Sequence, residues 1–375
     1  MRENDLYRHL FEVIEKYKVE NTTYYYEPLP INIPKPTNNA KDISDDTALK
    51  VIEFFKVNVI PFATKLKKIA NELTTGYDFN LDTIYNEIET ISETISSTGD
   101  NITSTLPKNT KHNIKDIFRL VVWPWVQNSY FVRSGLLKPS GFPGDYMIAE
   151  AMYDGNAKSF GLGYIYDTIF LNTQLCRGLR NRKDMMKQII CNYLNNNQFG
   201  NIDILNVGCG SSRELREIDM PSSGGRITIG LMDFDQNAID YSTKHIDSKQ
   251  LQIKLIPFNI DVREIARQKN TDAFPVEKYD FIYSIGLFDY LSDKIIINLL
   301  NKLLTALKNS GLLIVSHKDY KLYDPAIADW FCDWKYFHRT QADFENLISN
   351  LDAHPRAVSF SREKDGYIFF AKITK

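Results

Sequence analysis

The chain has 375 residues, long enough for more than one domain and for a substantial core. Charged residues at 25%, the hydrophobic set at 43%, Gly 18 and Pro 14 exclude a low-complexity or collagen-like chain. Lys plus Arg 45 against Asp plus Glu 47 leaves −2 at pH 7, so no overall basic field exists to recruit nucleic acid or anionic lipid.

The opening MRENDLYRHLFEVIEKY sets charges between its apolar residues and lacks the apolar run of a signal peptide, which predicts a cytoplasmic protein. Leu6, Leu10, Phe11 and Ile14 form a short amphipathic helical stripe. The stretch EPLPINIPKPTNN at 27–39 carries four prolines and predicts a linker or an extended strap. Ser44, Asp45 and Asp46 read as a cap before the apolar residues crowded over 49–73, and Leu81, Ile84, Ile88, Ile91 and Ile95 recur at helical spacing. A further helix starts near Asn113 and is expected to kink or end at Pro124, which has no backbone N–H. These elements predict an N-terminal helical domain over 1–137, with connecting segments over 138–200. The longest apolar runs, at 120–126 and 311–316, fall far short of a membrane helix, so no span is expected. Cys176, Cys191, Cys209 and Cys332 form no CxxC pair, which argues for reduced thiols rather than a metal knot or a disulfide scaffold.

From about Asn201 the rhythm changes. IDILNV (202–207), RITIGLM (226–232), QIKLIPF (252–258), YDFIYSI (279–285) and LLIVSH (312–317) are strand candidates spaced for intervening helices, which predicts a parallel sheet. A helix over 293–308 carries Ile296, Leu299, Leu300, Leu303, Leu304 and Leu307 on its inner face and is expected to stop at Asn309-Ser310-Gly311. RAVSFS (356–361) and GYIFFAKI (366–373) predict a closing antiparallel hairpin.

In an open α/β sheet the ligand crevice lies beyond the carboxyl ends of the strands. After the first strand comes Gly208-Cys209-Gly210-Ser211-Ser212, where glycines let backbone approach a ligand and take positive φ. After the second comes Asp233, placed to accept hydrogen bonds from ribose hydroxyls, with Phe234 beside it for an adenine face. Asn259-Ile260-Asp261-Val262 follows the third strand with another carboxylate. Position 213 is Arg, so the third glycine of a dinucleotide fingerprint is missing and an NAD enzyme is disfavoured.

This ordered set over 201–375 resembles the class I S-adenosylmethionine-dependent methyltransferases. The resemblance implies a Rossmann-like seven-stranded α/β sheet and S-adenosyl-L-methionine as cofactor. It implies Gly208, Cys209, Gly210 and Ser211 at the methionine moiety, Asp233 and Phe234 at the nucleoside, Asp261 and Val262 at the adenine, and Ser284, Ile285 and Gly286 beside the sulfonium. YSIGLFDYLSD (283–293), GCGSSREL, KPSGFPGDY (138–146) and DWKYFHRT (333–340) also resemble a bacterial group of methyltransferase-like proteins linked to hydroxy-fatty-acid methyl ester signals. In that group a GDY/F segment precedes the core, and here Gly144-Asp145-Tyr146 would fold over the cofactor, with Phe142 and Pro143 departing from the group's spelling. Asp145 would then hold the α-amino group, while Tyr146 and Tyr166 would offer aromatic faces to the sulfonium.

The expected reaction is methyl transfer to a small-molecule carboxylate, hydroxyl or amine. A hydroxyl or amine would benefit from a base, and Asp289, Tyr290 and His317 follow the fourth and fifth strands. The same cofactor permits aminocarboxypropyl transfer or cyclisation with release of methylthioadenosine, and a non-catalytic cofactor-binding scaffold is the third reading. The expected partner is a small-molecule acceptor, with no nucleic acid, and homodimerisation is left open.

Overall fold

The computed structural model describes residues 1–16, 29, 41–74, 80–142, 144–197, 200–218, 225–247, 253–267 and 275–375. The proline-rich strap therefore lies outside the described residues apart from Leu29. Contacts divide the chain into a helical unit (Met1–Pro143, Gly155–Thr173, Pro325–Trp334) and a sheet unit (Gly144–Asp154, Gln174–Asp324, Lys335–Lys375). The division runs through residues 138–200.

In the helical unit, Glu3–Lys16 buries Leu6 and Leu10. Ser44 caps Asp45–Phe54 by accepting the Thr47 N–H, and that helix passes through a π turn, Phe55–Val59, into Ile60–Thr74. Leu81–Thr103 buries Ile88 and Ile95. Lys108–Val126 runs two residues past Pro124 rather than ending there, because a proline in the last turn removes a single rung of the hydrogen-bond ladder. Ala326–Cys332 comes from far along the chain and brings Trp330 edge-on to Phe54 and Phe118, with ring centroids 5.9 and 5.2 Å away. Arg119 Nε donates to the Trp330 carbonyl at 2.9 Å, and Lys115 pairs with Asp100 and Asp329 at 2.8 and 2.6 Å. Gly99 is what lets the indole seat: a Cβ there would stand 2.3 Å from the Trp330 ring.

The sheet unit holds strands β1 (Ile202–Val207), β2 (Ile227–Asp233), β3 (Ile253–Asn259), β4 (Tyr279–Ile285), β5 (Leu307–Lys318), β6 (Ala357–Arg362) and β7 (Ile368–Thr374). They pair in the order β3-β2-β1-β4-β5-β7-β6, and β7 runs antiparallel to both of its neighbours. This is the Rossmann-like seven-stranded sheet that the methyltransferase resemblance implied. Helix Asp293–Ala306 lays Ile296, Leu299, Leu300, Leu303 and Leu304 into one apolar cluster with Leu205, Ile282, Leu313 and Phe369. It ends two residues earlier than expected, and Asn309–Gly311 is not its stop. Those residues lie inside β5, where pairing with β4 jumps from Tyr279↔Leu307 to Phe281↔Leu312 and Ser310 takes φ 62. The extra residues bulge there while Leu307 stays buried. Between β6 and β7, Glu363 accepts the N–H groups of Asp365 and Tyr367 at 2.7 Å, and Gly366 takes φ 83. Among the described residues, no helix is long and apolar enough to cross a membrane.

Candidate functional site

The chain leaves β1 through three left-handed residues, Gly208 (φ 66), Gly210 (φ 50) and Ser212 (φ 48). This loop is bound to the end of β2: the Gly208 and Cys209 N–H groups donate to the Met232 carbonyl at 2.8 and 2.9 Å, and the Gly210 N–H donates to Asp233 Oδ2 at 2.9 Å. Ser242 adds a hydroxyl hydrogen bond to the Gly210 carbonyl at 2.7 Å. A Cβ on Gly208 would meet Leu287 at 3.1 Å, whereas one on Gly210 meets nothing within 4 Å. The Gly210 backbone thus borders open space, which is what a closely approaching ligand requires. The helix that follows is a single short turn, Arg213–Arg216. Ser211 is buried, and burial followed by the Asp233 charge pushes the Cys209 thiol well up, keeping it neutral.

Asp233 is 8% exposed and also accepts the Asp235 N–H at 3.0 Å on its other oxygen. Burial raises its pKa against the lowering effect of the Asp235 and Gly210 N–H bonds. Each carboxylate oxygen can accept more than one hydrogen bond, so capacity for ribose hydroxyls remains. Phe234 is exposed, with its carbonyl accepting from Asn259 Nδ2 at 2.9 Å. Asp261 sits where the sequence put it, but its carboxylate chelates Arg263 at 2.6–2.9 Å, which lowers its pKa. Val262 is buried in the apolar cluster that helix Asp293–Ala306 shares with the sheet.

Asp145 caps helix Tyr146–Asp154 by accepting the Ile148 N–H at 2.9 Å. Tyr146 packs on Tyr241 at 5.2 Å, and its phenol pKa is raised by burial and then by Asp235 and Asp145. Glu150 fastens this helix to the glycine loop's side of the sheet by accepting from Arg216 (2.5 Å), Arg213 (3.1 Å) and the Tyr241 hydroxyl (3.1 Å). Tyr166 is placed differently from the expectation. It belongs to the helical unit, is 3% exposed, and packs on Phe331 with its hydroxyl buried, so it is a core residue there.

The ends of β4 and β5 carry a buried ionic group. Asp289 accepts the Lys318 N–H at 2.9 Å and the Lys318 ammonium at 2.5 Å. Burial alone would raise its carboxyl, but Lys318 and then His317 outweigh that and hold it well below the usual carboxylate range. His317 has both ring nitrogens engaged: Nδ1–H donates to the Lys318 carbonyl at 2.6 Å, and Nε2 faces Arg339 Nη1 at 3.2 Å. Its ring stacks on Phe369, and burial lowers its pKa, so it is a neutral structural imidazole rather than a base open to substrate. Tyr290 lies with Tyr336 around Lys318, the ammonium standing 5.9 and 4.9 Å from the two ring centroids. Ser284 is fully buried with an unpartnered hydroxyl, Ile285 is half-buried, and Gly286 takes φ 118.

Sequence reasoning missed Arg182, Glu214 and Lys318. Glu214 is buried against Tyr283 Oη (2.8 Å) and Asn206 Nδ2 (3.2 Å), and burial raises its pKa. Arg182 lies on helix Gln174–Asn196 inside the basic run RGLRNRKDMMK, which reads as a solvated face. Lys318 directly follows His317 in the polar stretch Ser316–Asp319, where nothing local marks it as buried.

No protein-family model and no curated protein matches the chain. Among solved structures it is similar to a possible exported protein from Bordetella parapertussis, at 16% identity and TM-score 0.50, covering 84% of this chain and 96% of that one. A magnesium protoporphyrin IX methyltransferase from Synechocystis PCC 6803 with bound SAM aligns at 11% identity and TM-score 0.36, over 54% of this chain and 84% of that one. A Leishmania major SAM-dependent methyltransferase aligns at 11% identity and TM-score 0.39, over 68% and 89%. At such identity the first of these speaks to fold alone.

Proposed function

We propose that the chain is an S-adenosylmethionine-dependent methyltransferase acting on a small-molecule acceptor. One observation carries the reading: on a sheet of methyltransferase order, the Gly210 backbone is tied by its N–H to the strand-end acid Asp233 and borders open space. That cradle fits the cofactor, with Gly208–Ser211 at its methionine arm, Asp233 at the ribose, Phe234, Asp261 and Val262 at the adenine, and Ser284–Gly286 near the sulfur. Bound there, the cofactor supplies an activated methyl group on a sulfonium.

The protein's work is to orient the acceptor and exclude water. The residues around the cradle would hold an acceptor oxygen in line with that methyl group, and S-adenosylhomocysteine would be the nucleoside product. Asp145 and Tyr146, at the start of helix Tyr146–Asp154, would serve as a cover over the cradle, with the Tyr146 ring packed on Tyr241. Of the three base candidates at the strand ends, Asp289 is committed to Lys318, His317 to Lys318 and Arg339, and the Tyr290 ring faces the Lys318 ammonium. This favours an acceptor that reacts without losing a proton to the protein, and a carboxylate is such a nucleophile. It agrees with the resemblance to the fatty-acid methyl ester group.

The test is incubation with S-adenosylmethionine and a library of small carboxylic acids, followed by mass spectrometry of nucleoside and acceptor. S-adenosylhomocysteine with a methyl ester supports the reading. Methylthioadenosine would move the chemistry to the aminocarboxypropyl arm, and absence of turnover with all acids would remove the carboxylate assignment.

A further inference from the structure

Arg182 is 5% exposed, yet its guanidinium makes no ion pair among the described residues. Among the described residues Nε is buried without a partner, and the side chain's one hydrogen bond is a long contact from Nη2 to the Tyr153 hydroxyl at 3.5 Å. A buried cation left unpaired is costly, and proteins keep such groups where a ligand supplies the counter-charge. The guanidinium lies against the turn after β4: Nη2 and Nη1 stand 3.0 and 3.1 Å from where a Cβ on Gly286 would be. Gly286 is succeeded by Leu287, the residue that a Cβ on Gly208 would meet at 3.1 Å, which sets the guanidinium near the glycine loop.

The acids around it are already engaged. Glu214 is close enough to feel Arg182 but is bound to Tyr283 and Asn206, Asp289 is paired with Lys318, and Glu150 with Arg213 and Arg216. Lys318 lies within electrostatic reach of Arg182 and is itself paired with Asp289, so it supplies no counter-charge. A planar fork with parallel donors matches a carboxylate in shape and charge.

We propose that Arg182, supported by Tyr153, is a carboxylate receptor at the head of the strand-end crevice. Two molecules could bring that group, the methionine arm of the cofactor or the acceptor. The first source rests on the cofactor reading above; the receptor itself rests on the unpaired guanidinium.

Calorimetric titration separates the sources. S-adenosylhomocysteine and methylthioadenosine share the nucleoside, and the second lacks the arm that carries the carboxylate. If the cofactor is the source, the parent prefers S-adenosylhomocysteine by at least about tenfold, the scale of a hydrogen bond to a charged group. Arg182→Gln then loses most of that preference while its methylthioadenosine affinity is unchanged, and Arg182→Lys keeps part of it. If the preference is the same in parent and variant, sodium butyrate followed by saturation-transfer NMR decides for the acceptor: binding to the parent that Arg182→Gln abolishes assigns that source. Failure of S-adenosylhomocysteine to bind the parent defeats the cofactor reading only, since the butyrate arm still runs on the ligand-free protein. Arg182→Met serves as the control for folding. A receptor predicts a ligand-free melting temperature no lower than the parent's, because an unpaired buried charge has been removed. Loss of stability in Arg182→Met, together with no change in either ligand arm, overturns the proposal.

Discussion

Asp233 does two things with one carboxylate: it anchors the Gly210 and Asp235 N–H groups and offers its remaining lone pairs at the strand end. Asp233→Ala should therefore weaken S-adenosylhomocysteine binding by about 1.5–3 kcal/mol, read by calorimetry on folded protein. The sign of the pH effect follows from burial. Because burial raises its pKa, the carboxylate protonates at higher pH than an ordinary aspartate, so affinity in the parent should start to fall on acidification sooner than a normal aspartate dictates. Asp233→Asn should flatten that dependence. An equally steep pH profile in Asp233→Asn would assign it to another group. Both glycines and this acid were legible in the sequence because they are close neighbours of strand ends. Arg182 was not, since what marks it is a missing partner in the company of Tyr153 and Gly286, residues far apart in the chain. His317 misled for a related reason: its two hydrogen-bond partners come from Lys318 and Arg339, and only the fold reveals that both ring nitrogens are taken.

At the scale of elements, helix Tyr146–Asp154 is tied by the Glu150 clamp to Arg213, Arg216 and Tyr241, and it buries Ile148, Ala151 and Met152. Glu150→Ala leaves two partly buried arginines short of a carboxylate. Hydrogen exchange over 144–154 should speed up by about tenfold or more while the β1, β4 and β5 amides stay protected. Uniform acceleration across the sheet would show the clamp to be a general stability element instead. The cap itself contributes less: Asp145→Ala should cost about 0.5–2 kcal/mol through the lost bond to the Ile148 N–H. The sequence located this segment upstream of the sheet through its Gly-Asp-Tyr spelling, but Glu150 and its arginines lie more than sixty positions apart and left no local signal.

At the scale of the molecule, alternation of strands and helices was readable from local pattern, and so was the closing hairpin. The division into units was not, because Pro325–Trp334 joins helices from the first third of the chain through Trp330, a purely long-range packing event. The bulge at Asn309–Gly311 imitated a helix stop, since both uses call on residues that tolerate a left-handed backbone. Stability as a whole should have an acid limb. Burial alone would raise the pKa of Glu217, but Lys183 and Arg213 lower it to about 2. Asp289 is likewise held low by Lys318. A depressed folded-state pKa gives stability present above the unfolded value and lost as pH falls through the folded one, so denaturant midpoints should decline from about pH 4.5 toward 2. Lys318→Met should behave in the opposite sense: it strands a buried carboxylate, costs about 3–5 kcal/mol at neutral pH, and recovers part of that as acidification neutralises Asp289. A variant whose midpoint falls with pH as the parent's does would contradict the pairing.

The central claim is that the Gly208–Ser211 loop cradles S-adenosylmethionine, and titration of S-adenosylhomocysteine into the parent and Gly210→Val tests it most directly. A β-branched side chain at φ 50 is strained, and its methyl groups would enter the space that the Gly210 backbone borders. The expected result is saturable binding in the micromolar range to the parent and none to a Gly210→Val protein whose circular dichroism and melting remain those of a folded chain. No binding to the parent, or equal binding to both proteins, would contradict the cradle.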